Sequence, residues 1–295
     1  MRVIKVSPRG YCYGVVDAIQ LAKRVARDPA VPRPIYVLGQ IVHNRHAVDG
    51  LSAQGIITLD GPDRLLLLEQ VENGTVIFTA HGISPAVKAA AAAKGLNCVD
   101  ATCPDVTRTH HLIVELVSQG YECIYVGKRG HPEPEGAMGE APGHVHLVET
   151  TADVDALDLR SPKLAVTTQT TLSQWDTQAV IERVKERYPH VEVHNEICHA
   201  TQERQDAAVS QVGDADLVLV VGDQRSNNSR RLAQVVQEIA HRPARLIDSV
   251  EDIRPTWLDG VATVAVTSGS STPSEITRAV IKYLEAYEPA PVVAC

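Results

Sequence analysis

Aromatic side chains are scarce in this chain of 295 residues: eight Tyr, two Trp and one Phe. That scarcity argues against a stacking platform for bases or a carbohydrate groove. Basic charge is short as well, 28 Lys and Arg against 36 Asp and Glu for a formal −8, a balance that repels phosphate backbones and acidic membrane surfaces. No nucleic acid and no membrane are therefore expected as partners. No run approaches the roughly 20 apolar residues that span a bilayer. The first twenty residues, a short strand broken by Ser7-Pro8-Arg9-Gly10, lack the basic, apolar and cleavage regions of a secretory signal. A cytoplasmic location is the expectation, one where thiols stay reduced and the six cysteines are ligands, catalysts or core residues rather than disulfides. No Gly-rich or Ser-rich linker divides the chain, and no C-x-x-C pair occurs.

What is present is an ordinary globular composition, 44% hydrophobic and 22% charged, which excludes disorder, collagen-like repeats and coiled coils. Within it a pattern recurs at intervals of roughly 90 to 95 residues when Cys12, Cys103 and Cys198 are taken as origins. Each follows a β-like segment (Val3 to Val6, Cys98 to Asp100, Val191 to His194) and begins a helix-like one. An apolar strand ending in Gly39, Gly127 or Gly222 comes next, and four residues beyond stand His43, His131 and Ser226. A further strand then ends in a polar loop feeding a helix near Ser84, Ser173 or Ser274. Strand, loop and helix repeated in this order predict an α/β fold with three pseudo-repeated lobes, each a small, mostly parallel sheet flanked by helices. The predicted bounds are 13–102 for lobe one, 103–197 for lobe two, 1–12 with 198–287 for lobe three, and a tail at 288–295.

If the lobes face a common centre, Cys12, Cys103 and Cys198 meet there, and three thiolates in a reduced compartment point to a metal. Structural zinc usually takes four ligands with at least one close pair, which this chain lacks. A soft all-thiolate set favours an iron-sulfur cluster, and in a cubane three cysteines leave one iron open as a Lewis acid and electron source. Cys98 and Cys123 read as core residues and Cys295 as incidental.

The polar loops carry donors suited to an anion. His43 and His81 stand at strand ends of the first unit, and Ser226-Asn227-Asn228-Ser229 and Ser271 stand at helix starts of the third, where small donors suit phosphate oxygens or simple capping. The middle unit has His131-Pro132-Glu133 and Gln169-Thr170, a carboxyl beside a hydroxyl and an imidazole, as a proton relay requires.

Taken together, PRGYCYGV, VHN, TAHG, DATCPDVT, HPEPEG, TQTT, EICHAT, SNNS and GSSTP resemble the family of 4-hydroxy-3-methylbut-2-enyl diphosphate reductase, from about Ile4 to about Tyr287. The resemblance implies three lobes around a central 4Fe–4S cluster held by Cys12, Cys103 and Cys198, with one open iron. It implies an allylic diphosphate substrate bound by His43, His81, His131, Ser226, Asn227, Asn228 and Ser271, with Thr170 near its hydroxyl and Glu133 as proton donor. Asn227 stands where many members carry serine, and Tyr13 where many carry alanine. The implied reaction is reductive dehydroxylation to isopentenyl and dimethylallyl diphosphate, the last step of the non-mevalonate isoprenoid route. No G-x-G-x-x-G follows the first strand, so a reduced ferredoxin or flavodoxin is the expected donor rather than a nicotinamide. A non-redox hydro-lyase and a cluster-based sensor are the alternative readings.

Overall fold

A computed structural model describes residues 1–288; the tail expected at 288–295, Cys295 included, lies beyond them but for Glu288. The chain begins with β1 (Arg2–Lys5). β2 (Ile35–Leu38), β3 (Ile56–Leu59), β4 (Thr75–Phe78) and β5 (Asn97–Asp100) form a sheet in the order β3-β2-β4-β5. β6 (Glu122–Val126), β7 (Val145–Val148), β8 (Leu164–Thr168) and β9 (Glu192–His194) repeat it as β7-β6-β8-β9. β10 (Leu217–Val221), β11 (Ala244–Ile247) and β12 (Thr263–Ser268) take β1 back to complete β1-β12-β10-β11, the same order read from its other edge. Every pairing in the three sheets is parallel, so the expected repeat holds and the sheets are wholly parallel.

Parallel strands need helical crossovers, and those helices cover both sheet faces, so central strands read as continuous apolar runs. All five residues of β10 are buried. Val218 and Val220 join Leu232 and Val236 on one face, while Leu217, Leu219 and Val221 join Ile281 and Leu284 on the other. β6 divides likewise, Cys123 and Tyr125 to one side and Ile124 and Val126 to the other. Each fully buried Val, Leu or Ile of this kind contributes about 1.5–3 kcal/mol.

The strands that precede the three cysteines are β1, β5 and β9, each an edge strand and each largely solvated. This corrects the core reading of Cys98, which is exposed on β5, whereas Cys123 is fully buried. Burial pushes the Cys123 thiol up to about 11. The helices expected near Ser84, Ser173 and Ser274 begin at Pro85, Gln174 and Ser274.

By compactness the described chain forms two units: one holds Met1–Cys12, His43–Arg45 and the segment from His199 onward, the other Tyr13–Val42 and His46–Cys198. The first contains the sheet of β1, β10, β11 and β12, and the second contains the other two. Among the described residues no helix is long and apolar enough to cross a membrane.

Candidate active site

Each cysteine stands at the residue before a helix, Tyr13–Arg27, Pro104–Ser118 or His199–Gln211, where unpaired amides and the helix dipole favour a thiolate. One backbone bond fixes all three in the same way. The amides of Cys12, Cys103 and Cys198 donate to the carbonyls of Ser270, Ala80 and Thr170, each at 3.0 Å. Each acceptor lies two residues past the last residue of β12, β4 or β8. A second bond repeats as well: the amides of Gly39, Gly127 and Gly222 donate to Leu59, Val148 and Ile247 at 2.7, 2.9 and 2.7 Å. Four residues beyond these glycines stand His43, His131 and Ser226, the last two as helix N-caps.

In the unit that holds Tyr13–Val42 and His46–Cys198, Cys103 is half-buried and makes no capping bond to its own helix. A β-carbon at Gly14 would overlap its Sγ, so that glycine is what lets the thiol sit there. The Tyr13 hydroxyl donates to Asp105, which Arg108 also holds at 3.0 Å, and Arg108 reaches on to Glu196 at 2.9 Å. Burial, the bond to Asp105 and the nearby Cys103 and Cys198 all push the Tyr13 hydroxyl far above its usual range.

His131 caps the helix Pro132–Glu140, its Nδ1 accepting the Glu133 amide at 3.2 Å. The His81 ring meets the His131 ring edge to face, with centroids 5.5 Å apart. Gly82, beside His81, has φ +81, and any β-carbon there would press on Val106 and His110. Glu133 is 2% exposed. Its Oε1 accepts the Thr170 amide at 2.7 Å, and the Thr170 and Tyr125 hydroxyls also approach it. Burial outweighs these bonds, and with the Asp105 charge it raises the Glu133 carboxyl to about 7. The group is therefore an acid that still carries its proton near neutrality.

In the other unit, Ser226 caps the helix Asn227–Glu238 by accepting the Ser229 amide at 3.2 Å. Ser271 Oγ donates to the His43 carbonyl at 3.1 Å and lies 3.3 Å from Ser226 Oγ. Asn228 Oδ1 accepts the Ser270 amide at 2.9 Å, so the loop that anchors Cys12 is itself tied to Asn228. Asn227 is buried at the first position of that helix. The structure thus joins the His43 carbonyl, Ser271 and Ser226, with Asn228 on the neighbouring Ser270 amide, and links Glu133 to His131 and Thr170, with His81 against the His131 ring.

Sequence reasoning missed four charged or polar residues of this machinery. Arg204, 4% exposed, donates to the Gly10 carbonyl at 2.8 Å and the Ala200 carbonyl at 2.7 Å, holding the loop that leads to Cys12. Asp105, Asp223 and Tyr125 were also missed. Only burial reveals them, since in sequence each looks like an ordinary helix, loop or strand residue.

Residues 3–285 match the family described as LytB protein. A protein of Symbiobacterium thermophilum named 4-hydroxy-3-methylbut-2-enyl diphosphate reductase is 69% identical over 288 residues, covering 97% of this chain and 98% of the relative. A solved structure, the E-1-hydroxy-2-methyl-but-2-enyl-4-diphosphate reductase of Plasmodium falciparum, superposes with TM-score 0.90 at 33% identity, covering 99% of this chain and 95% of that one. A second, titled (E)-4-hydroxy-3-methyl-but-2-enyl diphosphate reductase, the terminal enzyme of the non-mevalonate pathway, gives TM-score 0.70 at 30% identity, covering 97% of this chain and all of that one.

Proposed function

Because the chain belongs to the LytB protein family, as the match over residues 3–285 shows, we propose that it reduces 4-hydroxy-3-methylbut-2-enyl diphosphate to isopentenyl and dimethylallyl diphosphate, the last step of the non-mevalonate route. The observation that carries this reading is the same anchoring of Cys12, Cys103 and Cys198 in three like sheets. Three half-buried thiols at helix starts are a soft donor set suited to a 4Fe–4S cluster with one iron open. When bound, that cluster supplies a Lewis acid for the substrate hydroxyl and a path for electrons. The three lobes bounded at 13–102, 103–197 and 1–12 with 198–287 belong to the same proposal.

The chain's own residues do the rest. His43, His81, His131, Ser226, Asn227, Asn228 and Ser271 hold the diphosphate, as imidazole, hydroxyl and amide donors do. Thr170 orients the substrate hydroxyl while its amide keeps Glu133 in place. Glu133, kept protonated by burial, gives its proton to the leaving hydroxyl as the C–O bond breaks, so that water departs. Two electrons and a second proton complete the balance with a new C–H bond, and the electrons come from reduced ferredoxin or flavodoxin in the cytoplasm.

Anaerobic assay of the purified protein with this diphosphate, with and without a chemical reductant, tests the reading. Formation of both five-carbon diphosphates only when reductant is present supports it. Loss of water from the substrate without any reductant would identify a lyase instead.

A further inference from the structure

Asp223 stands two residues past the end of β10 and is 5% exposed. Its Oδ2 accepts the amide of Arg45 at 2.9 Å, and its Oδ1 accepts the amide of Arg225 at 2.8 Å. The Arg225 guanidinium approaches both oxygens at 3.3 Å, and the Asp223 carbonyl accepts the Ser226 amide at 3.0 Å. Burial alone would raise this carboxyl, yet the Arg225 and Arg45 bonds hold it below the usual range.

Arg45 closes a segment of three residues, His43–Arg45, that groups with the unit of β10 and β12 although the chain on either side of it belongs to the other unit. One end is held by Ser271 Oγ on the His43 carbonyl at 3.1 Å, and the other by Asp223 on the Arg45 amide. Asn44 between them is fully buried. The Arg45 side chain also pairs with Asp248, but it is 55% exposed, and exposed ion pairs do little to fix a backbone.

We propose that Asp223 is a positioning residue for diphosphate binding: by accepting the Arg45 amide it fixes His43 in register with Ser226 and Ser271. This rests on the function proposed above. Asp223 touches no reacting atom; it acts through the backbone of the segment that carries His43. Without it, the part-buried Arg45 amide loses this acceptor and the His43 segment loses one of the ties that hold it to the Ser226 loop, a loss typically worth about 10- to 100-fold in an equilibrium. In Asp223→Asn one oxygen is replaced by an NH₂ group, which cannot accept, so at least one of the two amides is left without its partner.

The test is titration of inorganic pyrophosphate into the cluster-loaded protein, together with steady-state kinetics under reducing, anaerobic conditions. Asp223→Asn is expected to weaken pyrophosphate binding and to raise KM by about 10- to 100-fold, with kcat and the cluster absorption spectrum close to the parent's. Asp248→Asn, which weakens the ion pair to the exposed Arg45 side chain and leaves the Asp223 bond to the Arg45 amide in place, is expected to bind pyrophosphate like the parent. Should Asp223→Asn fail to fold, Asp223→Glu keeps the charge and displaces it by one methylene, and a weaker partial loss of affinity is expected. Parent-like pyrophosphate affinity in either Asp223 variant, or an equal loss in Asp248→Asn, overturns the inference while leaving parental reductase activity as evidence for the function. A parent that neither binds pyrophosphate nor reduces the substrate overturns both.

Discussion

Replacing Glu133 by Gln removes a transferable proton and leaves an oxygen that still accepts the Thr170 amide, now at 2.7 Å. Burial raises this carboxyl from 4.5 to about 7, so at pH 7 it holds on the order of 100-fold more of the acid form than an ordinary glutamate would. General acid catalysis is worth about 100- to 10,000-fold, or about 3 to 5 kcal/mol of barrier. Single-turnover conversion by Glu133→Gln under reducing conditions should fall by that amount, with pyrophosphate binding and the cluster spectrum kept. The same carboxyl also carries a stability cost. A group whose folded pKa lies above its unfolded one stabilises fully below pH 4.5 and loses that contribution as pH rises through about 7. The loss approaches about 3 kcal/mol by pH 8, so Glu133→Gln should melt higher than the parent at pH 8 and lose the advantage toward pH 5. Turnover within tenfold of the parent, or a melting temperature at pH 8 no higher than the parent's, would refute the role of a buried, protonated acid.

Tyr125→Phe removes a hydroxyl that favours ionised Glu133; the Glu133 pKa should rise, and the alkaline limb of the kcat profile should move to higher pH. Gly14→Ala places a methyl against Cys103 Sγ, and iron and sulfide analysis after anaerobic purification should show a depleted cluster. Ser226→Ala deletes the cap on the Ser229 amide, which should cost about 1 kcal/mol in urea unfolding and raise KM for the diphosphate.

The threefold repeat was legible because a cysteine at a strand-to-helix turn leaves a fixed mark, and because β4, β8 and β10 are buried throughout and mostly apolar. The strands β3, β7 and β11 were not legible. Their partly solvated patterns leave only one or two buried residues each, too few for an apolar run. Cys98 misled for a related reason: Asn97-Cys98-Val99-Asp100 is an edge strand, and only sheet order shows which face of it meets water. The site's donors could be named from their motifs, but Arg204, Asp105 and Asp223 could not. A charge in a helix or loop looks solvated until the packing around it is known, and each of these also bonds a residue far away in sequence, Gly10, Tyr13 and Arg45 respectively. Tyr125, in turn, reads as plain core, since sequence does not tell that its hydroxyl approaches Glu133.

The most direct test of the account is iron and sulfide counting on anaerobically purified protein and on single Cys→Ser variants. A 4Fe–4S complement in the parent, lost or depleted in Cys12→Ser, Cys103→Ser and Cys198→Ser but kept in Cys98→Ser, is the predicted result. A full cluster retained in any of those first three, or none in the parent, would contradict it.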